Sequence, residues 1–304
     1  MKDFLLFAGV SNLPLAKEVA TLLDTSLGKV DLTRFADGEL RPWVQEDVRD
    51  KTVFVLESLS YPMDEHIMEM SLMGDAIRRG APKTMVAVIP YLGYSRQDKQ
   101  HRSGEPVSAR VIAKFLEVSR YKEVIVVELH NEAIVGFFQI PVTHVSTLPL
   151  FAKEIQKLKI KDGVVISPDV GGVKRARNLA YMLDFPMAVM EKRRFLDRRD
   201  SSESFQIIGD VAGHDAIIVD DLISTGGTIV QSVVSLKEAG VSSITVLATH
   251  GVLAGEAVKN LENADVERII LTDTIAIPKD KQFAKLQIVS VAPLLSAAIG
   301  NILR

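Results

Sequence analysis

The sequence predicts an α/β fold made of two similar halves, each a mostly parallel sheet flanked by helices. Three observations lead there: short apolar runs alternate with amphipathic stretches, the runs end in polar groups, and the chain carries a weak internal repeat.

The apolar runs are VFVLES (53–58), MVAVIP (85–90), VIVVELH (124–130), VVISPD (164–169), AIIVDD (216–221), ITVLATH (244–250) and IILTDT (269–274). They are rich in Val and Ile and nearly continuous in apolar character, as strands covered on both faces are. A helix is expected from Met63 to Arg79, with Ile67, Met70, Met73 and Ile77 on one face and Gly80 as its stop. A second runs from Gly227 to Ala239 and stops at Gly240. Met63, Met68, Met70 and Met73 read as gap-filling core rather than a soft-metal site. The stretch IVSVAPLLSAAIGNIL (288–303) is broken by Pro293, serines and Asn301, and it falls short of the roughly 20 residues a bilayer requires. It reads as a closing helix packed on the core. The start, MKDFLLFAGV, carries an acid at position 3 and lacks the pattern of a secretory leader, so a soluble, cytoplasmic protein is expected.

The repeat matches VFVLES, AIRRGAP and MVAVIPYLGYS in the first half with AIIVDD, SLKEAGV and ITVLATHGVLAG in the second. Two α/β domains are therefore expected, spanning 1–146 and 147–304, with the boundary inside PVTHVSTLPLF (141–151). With 304 residues the chain is long enough for both. A formal net charge of −3 offers no general attraction to nucleic acid or an anionic membrane. The absence of cysteine excludes disulfides and cysteine-ligated zinc.

The chemistry lies where the runs finish. Ligands of open α/β sheets bind beyond the carboxyl ends of the strands. Those ends carry Glu57-Ser58, Ser95 to Asp98, Glu128 and His130, Asp169, Asp220-Asp221, His250 and Asp273, which together suggest a continuous polar site. Asp220 and Asp221 repel each other, so one must take up a proton or the pair must meet a cation. Ser224, Thr225, Gly226, Gly227 and Thr228 follow directly, and a helix begins there. Exposed backbone N–H groups, hydroxyl donors and a helix start make a phosphate cradle. It is not a P-loop, because GxxxxGK[ST] is missing.

A double acid followed by this turn resembles the type I phosphoribosyltransferase-like proteins. RFADGEL (34–40), PYLGYSRQDK (90–99), VELHNEAIVGFFQIPV (127–142), SPDVGGVKRA (167–176), EKRR (191–194), VDDLISTGGT (219–228) and THGVLAG (249–255) narrow the match along nearly the whole chain. Together they resemble the ribose-phosphate diphosphokinases, or phosphoribosyl pyrophosphate synthetases. That resemblance implies transfer of the β,γ-diphosphoryl group of ATP to the 1-hydroxyl of ribose 5-phosphate, with AMP released. It implies ATP contacts at Phe35, Asp37, Glu39, Arg96 and Gln97, and a ribose 5-phosphate site at Asp220, Asp221 and 224–228. It also implies Mg2+ held by His130 and Asp169, and catalysis by Lys192 and Arg194 on a mobile basic loop. The resemblance further implies a dimer-based homo-oligomer, up to a hexamer, because in that family the RFADGE segment usually serves a neighbouring subunit.

There are departures from the pattern. Ser224 stands where many synthetases carry an aspartate, and Gly104 in QHRSGEP (100–106) stands where a basic residue is often found. The second implies activity that needs little or no inorganic phosphate and inhibition by ADP mainly at the ATP site. Other functions weighed are a catalytically silent synthetase-associated regulator and a nucleobase phosphoribosyltransferase. The intact EKRR segment, His130 and the paired aspartates speak against the first, and the absence of a base-binding hood against the second.

Overall fold

A computed structural model describes residues 3–193 and 204–304. The chain folds into two compact units, one comprising Met1–Ser146, Thr274–Ala276 and Ser290–Arg304, the other Thr147–Asp273 and Ile277–Val289. The end of the chain therefore belongs with the first unit, whereas the sequence reading assigned it to the second.

The first unit is built on a wholly parallel sheet in the order β1-β4-β5-β6-β7. Its strands are β1 (Phe4–Ala8), β4 (Thr52–Leu56), β5 (Thr84–Ile89), β6 (Glu123–Val127) and β7 (Val142–Val145). Between β1 and β4 come α1 (Leu13–Leu22) and an antiparallel hairpin of β2 (Val30–Arg34) and β3 (Leu40–Val44). Helix α2 (Met63–Arg79) spans the expected residues. Its Met70, Met73 and Ile77 interlock with Val53, Val55, Met85 and Ala87 of the sheet and Ile112 and Leu116 of α3 (Ser108–Val118). The methionines are core. Alternate strand residues such as Leu6, Phe54 and Val86 point to the opposite face and are equally buried. There α1 and α8 (Ala292–Ile302) pack on each other and against β1 and β7. Leu295 and Ile299 of α8 are completely buried, which is why the last helix closes the first unit.

The second unit holds the sheet β10-β9-β8-β11-β12-β13-β14, parallel except at its β10 edge. The strands are β8 (Gly163–Ser167), β9 (Met187–Arg193), β10 (Ser204–Ile208), β11 (Asp215–Ile223), β12 (Ser243–Gly251), β13 (Arg268–Thr272) and β14 (Leu286–Val289). Helices α4 (Leu148–Leu158) and α5 (Val173–Leu183) cover one face, against Val165, Ile217, Val219 and Leu247. Helices α6 (Gly227–Glu238) and α7 (Ala257–Asn263) cover the other, against Ile166, Ile218, Val246 and Ala248. Residues 216–219 thus alternate between two cores, so the run reads as unbroken apolar. Among the described residues, no helix is long and apolar enough to cross a membrane.

Candidate active site

In the second unit, β8 feeds α5 and β9 on one side while β11 feeds α6 and β12 on the other. The carboxyl ends of β8 and β11 therefore meet where the winding reverses, the position at which such sheets bind ligands. β11 pairs with β8 only as far as Ile218↔Ile166 but continues beside β12 to Ile223. Asp220 and Asp221 consequently project past the end of β8.

Three groups meet at this opening. Asp169 is exposed just after β8, its loop tightened by Gly172 N–H donating to Asp169 Oδ1 at 2.8 Å and Ser167 Oγ donating to the Asp169 carbonyl at 2.7 Å. Asp221 is nearly buried, and its N–H donates to Asp220 Oδ1 at 2.8 Å. Arg175 of α5 brings Nη1 to 3.6 Å from Asp220 Oδ1 and 3.5 Å from Asp221 Oδ1. Burial, and then the charge of Asp221, hold the Asp220 carboxyl well above the usual range, while Arg175 pulls it back down. Burial and mutual repulsion thus favour a proton or a cation at the pair, with the Arg175 guanidinium the nearest cation among the described residues.

The following turn is held by the connection between β12 and α7 and by α7 itself. Leu253 N–H donates to the Ile223 carbonyl at 3.1 Å, Ala254 N–H to that of Ser224 at 2.9 Å, and Asn260 Nδ2 to that of Thr225 at 3.0 Å. Gly226 adopts φ +77° at the cap of α6, with Leu261 3.3 Å from where a Cβ would lie. At Gly227 a Cβ would meet only Thr225 Oγ1 at 3.8 Å, so the backbone there faces open space. Thr225 and Thr228 are exposed beside it, and the leading N–H groups of α6 have no intrahelical acceptor. An anion fits this arrangement.

In the first unit, Phe35 stands half exposed at the hairpin tip, with the Arg41 guanidinium 5.5 Å from its ring centroid. Phe35 N–H donates to the Glu39 carbonyl at 2.9 Å, Glu39 N–H to Asp37 Oδ1 at 3.2 Å, and Arg34 to Glu65 of α2 at 2.6 Å. These bonds shape the tip that carries Phe35 and two exposed carboxylates, Asp37 and Glu39. Further along, Arg96 is exposed, while Gln97 Oε1 accepts from Ser108 Oγ at 2.6 Å at the start of α3. Asn131 Nδ2 donates to Asp98 at 2.7 Å, tying the RQDK loop to the segment that carries exposed His130. In the next loop, Glu105 accepts the N–H groups of His101 and Arg102 at 3.1 and 3.0 Å around Gly104, whose φ of +90° favours glycine.

Several expectations change. The polar strand ends do not form one open edge: Glu57, Ser58, Ser95, Glu128 and His250 are buried, while Arg96, Gln97, His130 and Asp169 are exposed. Lys192 lies on strand β9, opposite Phe205 of β10, rather than on a free loop, and Arg194 lies outside the described residues. Arg175, Arg41 and Asn131 were not singled out from the sequence. Arg175 was visible only as the next-to-last residue of a motif, SPDVGGVKRA, and its meeting with β11 is a tertiary contact. Among the described residues no three His, Asp or Glu side chains form a ready-made metal cluster. Exposed Asp169 is a hard oxygen donor of the kind magnesium takes while keeping most of its waters.

Comparison with known proteins adds a family to this geometry. Residues 4–119 match the N-terminal domain of ribose phosphate pyrophosphokinase, and 191–304 match the phosphoribosyl synthetase-associated domain. The chain is 40% identical to a ribose-phosphate pyrophosphokinase of Bacillus caldolyticus, covering 98% of this chain and 94% of that one. It is 41% identical to ribose-phosphate pyrophosphokinase 1 of Streptococcus pyogenes, over 99% and 94%. The crystal structure of phosphoribosylpyrophosphate synthetase from Mycobacterium smegmatis superposes with a TM-score of 0.93 at 37% identity, covering 99% of each chain.

Proposed function

The chain belongs to the ribose-phosphate pyrophosphokinase family, and on that premise we propose that it transfers the diphosphoryl group of ATP to the 1-hydroxyl of ribose 5-phosphate, releasing AMP. The observation that carries this reading beyond family membership is the pairing of Asp220 and Asp221 with an open glycine turn at the start of α6, where the winding of the second unit reverses. A sugar phosphate offers both partners at once. Its vicinal hydroxyls donate to carboxylates, and its phosphate accepts from backbone N–H and threonine hydroxyl groups.

ATP is assigned to the first unit. Adenine stacks on Phe35, whose other neighbour is the Arg41 guanidinium, and Asp37 and Glu39 accept from the base and sugar edges. Arg96 and Gln97 hold the nucleotide from the RQDK loop. Asp169 would hold Mg2+, a role also assigned to His130, and the ion would supply Lewis-acid neutralisation of the phosphate oxygens. Lys192 and Arg194 meet the charge that spreads over the transferred group in the transition state, where positioning and electrostatics do most of the catalysis. The chain acts as a dimer-based homo-oligomer in the cytoplasm. The intact acids, turn and basic segment favour this over a silent regulatory subunit.

Purified protein incubated with ATP, ribose 5-phosphate and Mg2+ releases AMP in proportion to both substrates, measured by a coupled assay. No AMP under saturating substrates, or AMP released equally without the sugar phosphate, overturns the assignment.

A further inference from the structure

Arg175 reaches the site from the opposite strand of the reversal. It sits two residues into α5, behind the loop that carries Asp169, and its side chain is 12% exposed. Its Nη1 lies almost equally far from one oxygen of each neighbouring acid, 3.6 Å from Asp220 and 3.5 Å from Asp221. Those separations exceed a direct hydrogen bond, so the contact works through charge. Asp220 Oδ1 also accepts the Asp221 N–H at 2.8 Å, so both donors address the same oxygen of Asp220.

Two adjacent acids, one nearly buried, repel each other, and Arg175 works against burial and that repulsion without cancelling them. A proton on either would turn an acceptor of sugar hydroxyls into a competing donor. Arg175 is also placed to keep the pair oriented, since one guanidinium spans both carboxylates and α5 holds its base against Val165, Ile217 and Val219 through Ala176 and Leu179.

We propose that Arg175 is a positioning residue for ribose 5-phosphate, aligning Asp220 and Asp221 and favouring their charged form as the sugar's vicinal hydroxyls arrive, without itself touching the substrate. This rests on the function assigned above. It extends that function to a side chain outside the substrate contacts, and it separates charge from shape. Lysine keeps the charge and glutamine keeps polarity without it.

Steady-state rates and titration calorimetry with ribose 5-phosphate test the role in the full-length protein. Arg175→Gln raises KM and Kd for ribose 5-phosphate at least tenfold and leaves KM for ATP within twofold. Arg175→Lys returns ribose 5-phosphate affinity to within threefold of wild type. Unchanged affinity in the glutamine variant, equal losses for both substrates, or a lysine variant as weak as glutamine each overturn the proposal. Should Arg175→Gln lose cooperative melting, adding Asp220→Asn restores it, because the uncompensated buried charge is then gone; failure of that restoration also overturns the role. Calorimetry needs no turnover, so wild type that binds ribose 5-phosphate but releases no AMP defeats the assigned reaction and leaves the Arg175 test readable. Wild type that does not bind the sugar phosphate defeats both.

Discussion

Two pairs of acids sit at the ends of parallel strands, one in each unit, and they differ in what surrounds them. Glu57 follows β4 and meets Glu69 of α2 in a sealed space over Gly9, where a Cβ would lie 1.2 Å from Glu57 Oε2. Val10 N–H donates to Glu69 at 2.7 Å and Ser11 N–H to Glu57 at 3.2 Å. Glu57 Oε2 is enclosed with no hydrogen-bond partner among the described residues, which favours the protonated form. Burial, and then the charge of Glu69, push Glu57 well above the ordinary carboxyl range, and burial raises Glu69 as well. Asp220 is likewise raised, yet its pair has a guanidinium at its back and an open glycine turn in front. The first pair fastens the loop after β1 to α2. The second borders an open approach. A raised carboxyl therefore marks function only where a counterion and an open approach accompany it.

The largest expected effect breaks the comparison outright. Asp221→Ala lowers kcat/KM for ribose 5-phosphate about 100-fold, since a charged acceptor contributes roughly 1.5–3 kcal/mol. Glu57→Gln keeps kcat/KM within about threefold. Steady-state AMP release measures both, and equal losses would make the first pair functional after all.

Next comes the open approach. Gly227→Val fills the space where the backbone faces solvent and weakens ribose 5-phosphate binding at least about 30-fold, near 2 kcal/mol. Thr228→Ala removes one hydroxyl donor and costs about 1 kcal/mol. Calorimetry with an ATP analogue should detect neither change, because Phe35, Arg96 and Gln97 lie in the other unit.

The sealed pair predicts a reversed pattern. Gly9→Ala forces the two glutamates apart and lowers stability by about 1–3 kcal/mol, read from denaturant unfolding. Substrate affinity of the folded fraction stays as in wild type. A variant as stable as wild type would mean the space over Gly9 is not closed.

The smallest effect is in pH. Glu57 has a folded pKa above its unfolded one, so its contribution is complete below the ordinary carboxyl range and is lost as pH rises through the raised value. Glu57→Gln cannot lose that proton. Its unfolding free energy should decline less than wild type as pH rises from the ordinary carboxyl range through the raised value, and parallel curves would show that Glu57 is not the group that titrates.

Much of the fold was legible in the chain because strand burial and helix amphipathicity are local patterns. All the apolar runs became strands, and α2 and α6 stand where periodicity and stop glycines put them. VDDLISTGGT was legible for a related reason: adjacent acids, glycines and a helix start announce their chemistry from neighbours in sequence. The hairpin β2–β3 and the β9–β10 edge were not read as strands, since Lys192 and its neighbours look like a solvated charged stretch when their partner strand is unknown. Composition could not reveal that α8 would return to the first unit, because an apolar helix finds its place only through the surface left uncovered. Glu57 and Asp220 illustrate the same division: each is an acid at a strand end in the sequence. Only the fold brought Glu69 over one and Arg175 behind the other, because burial and counterions are set by residues far away along the chain.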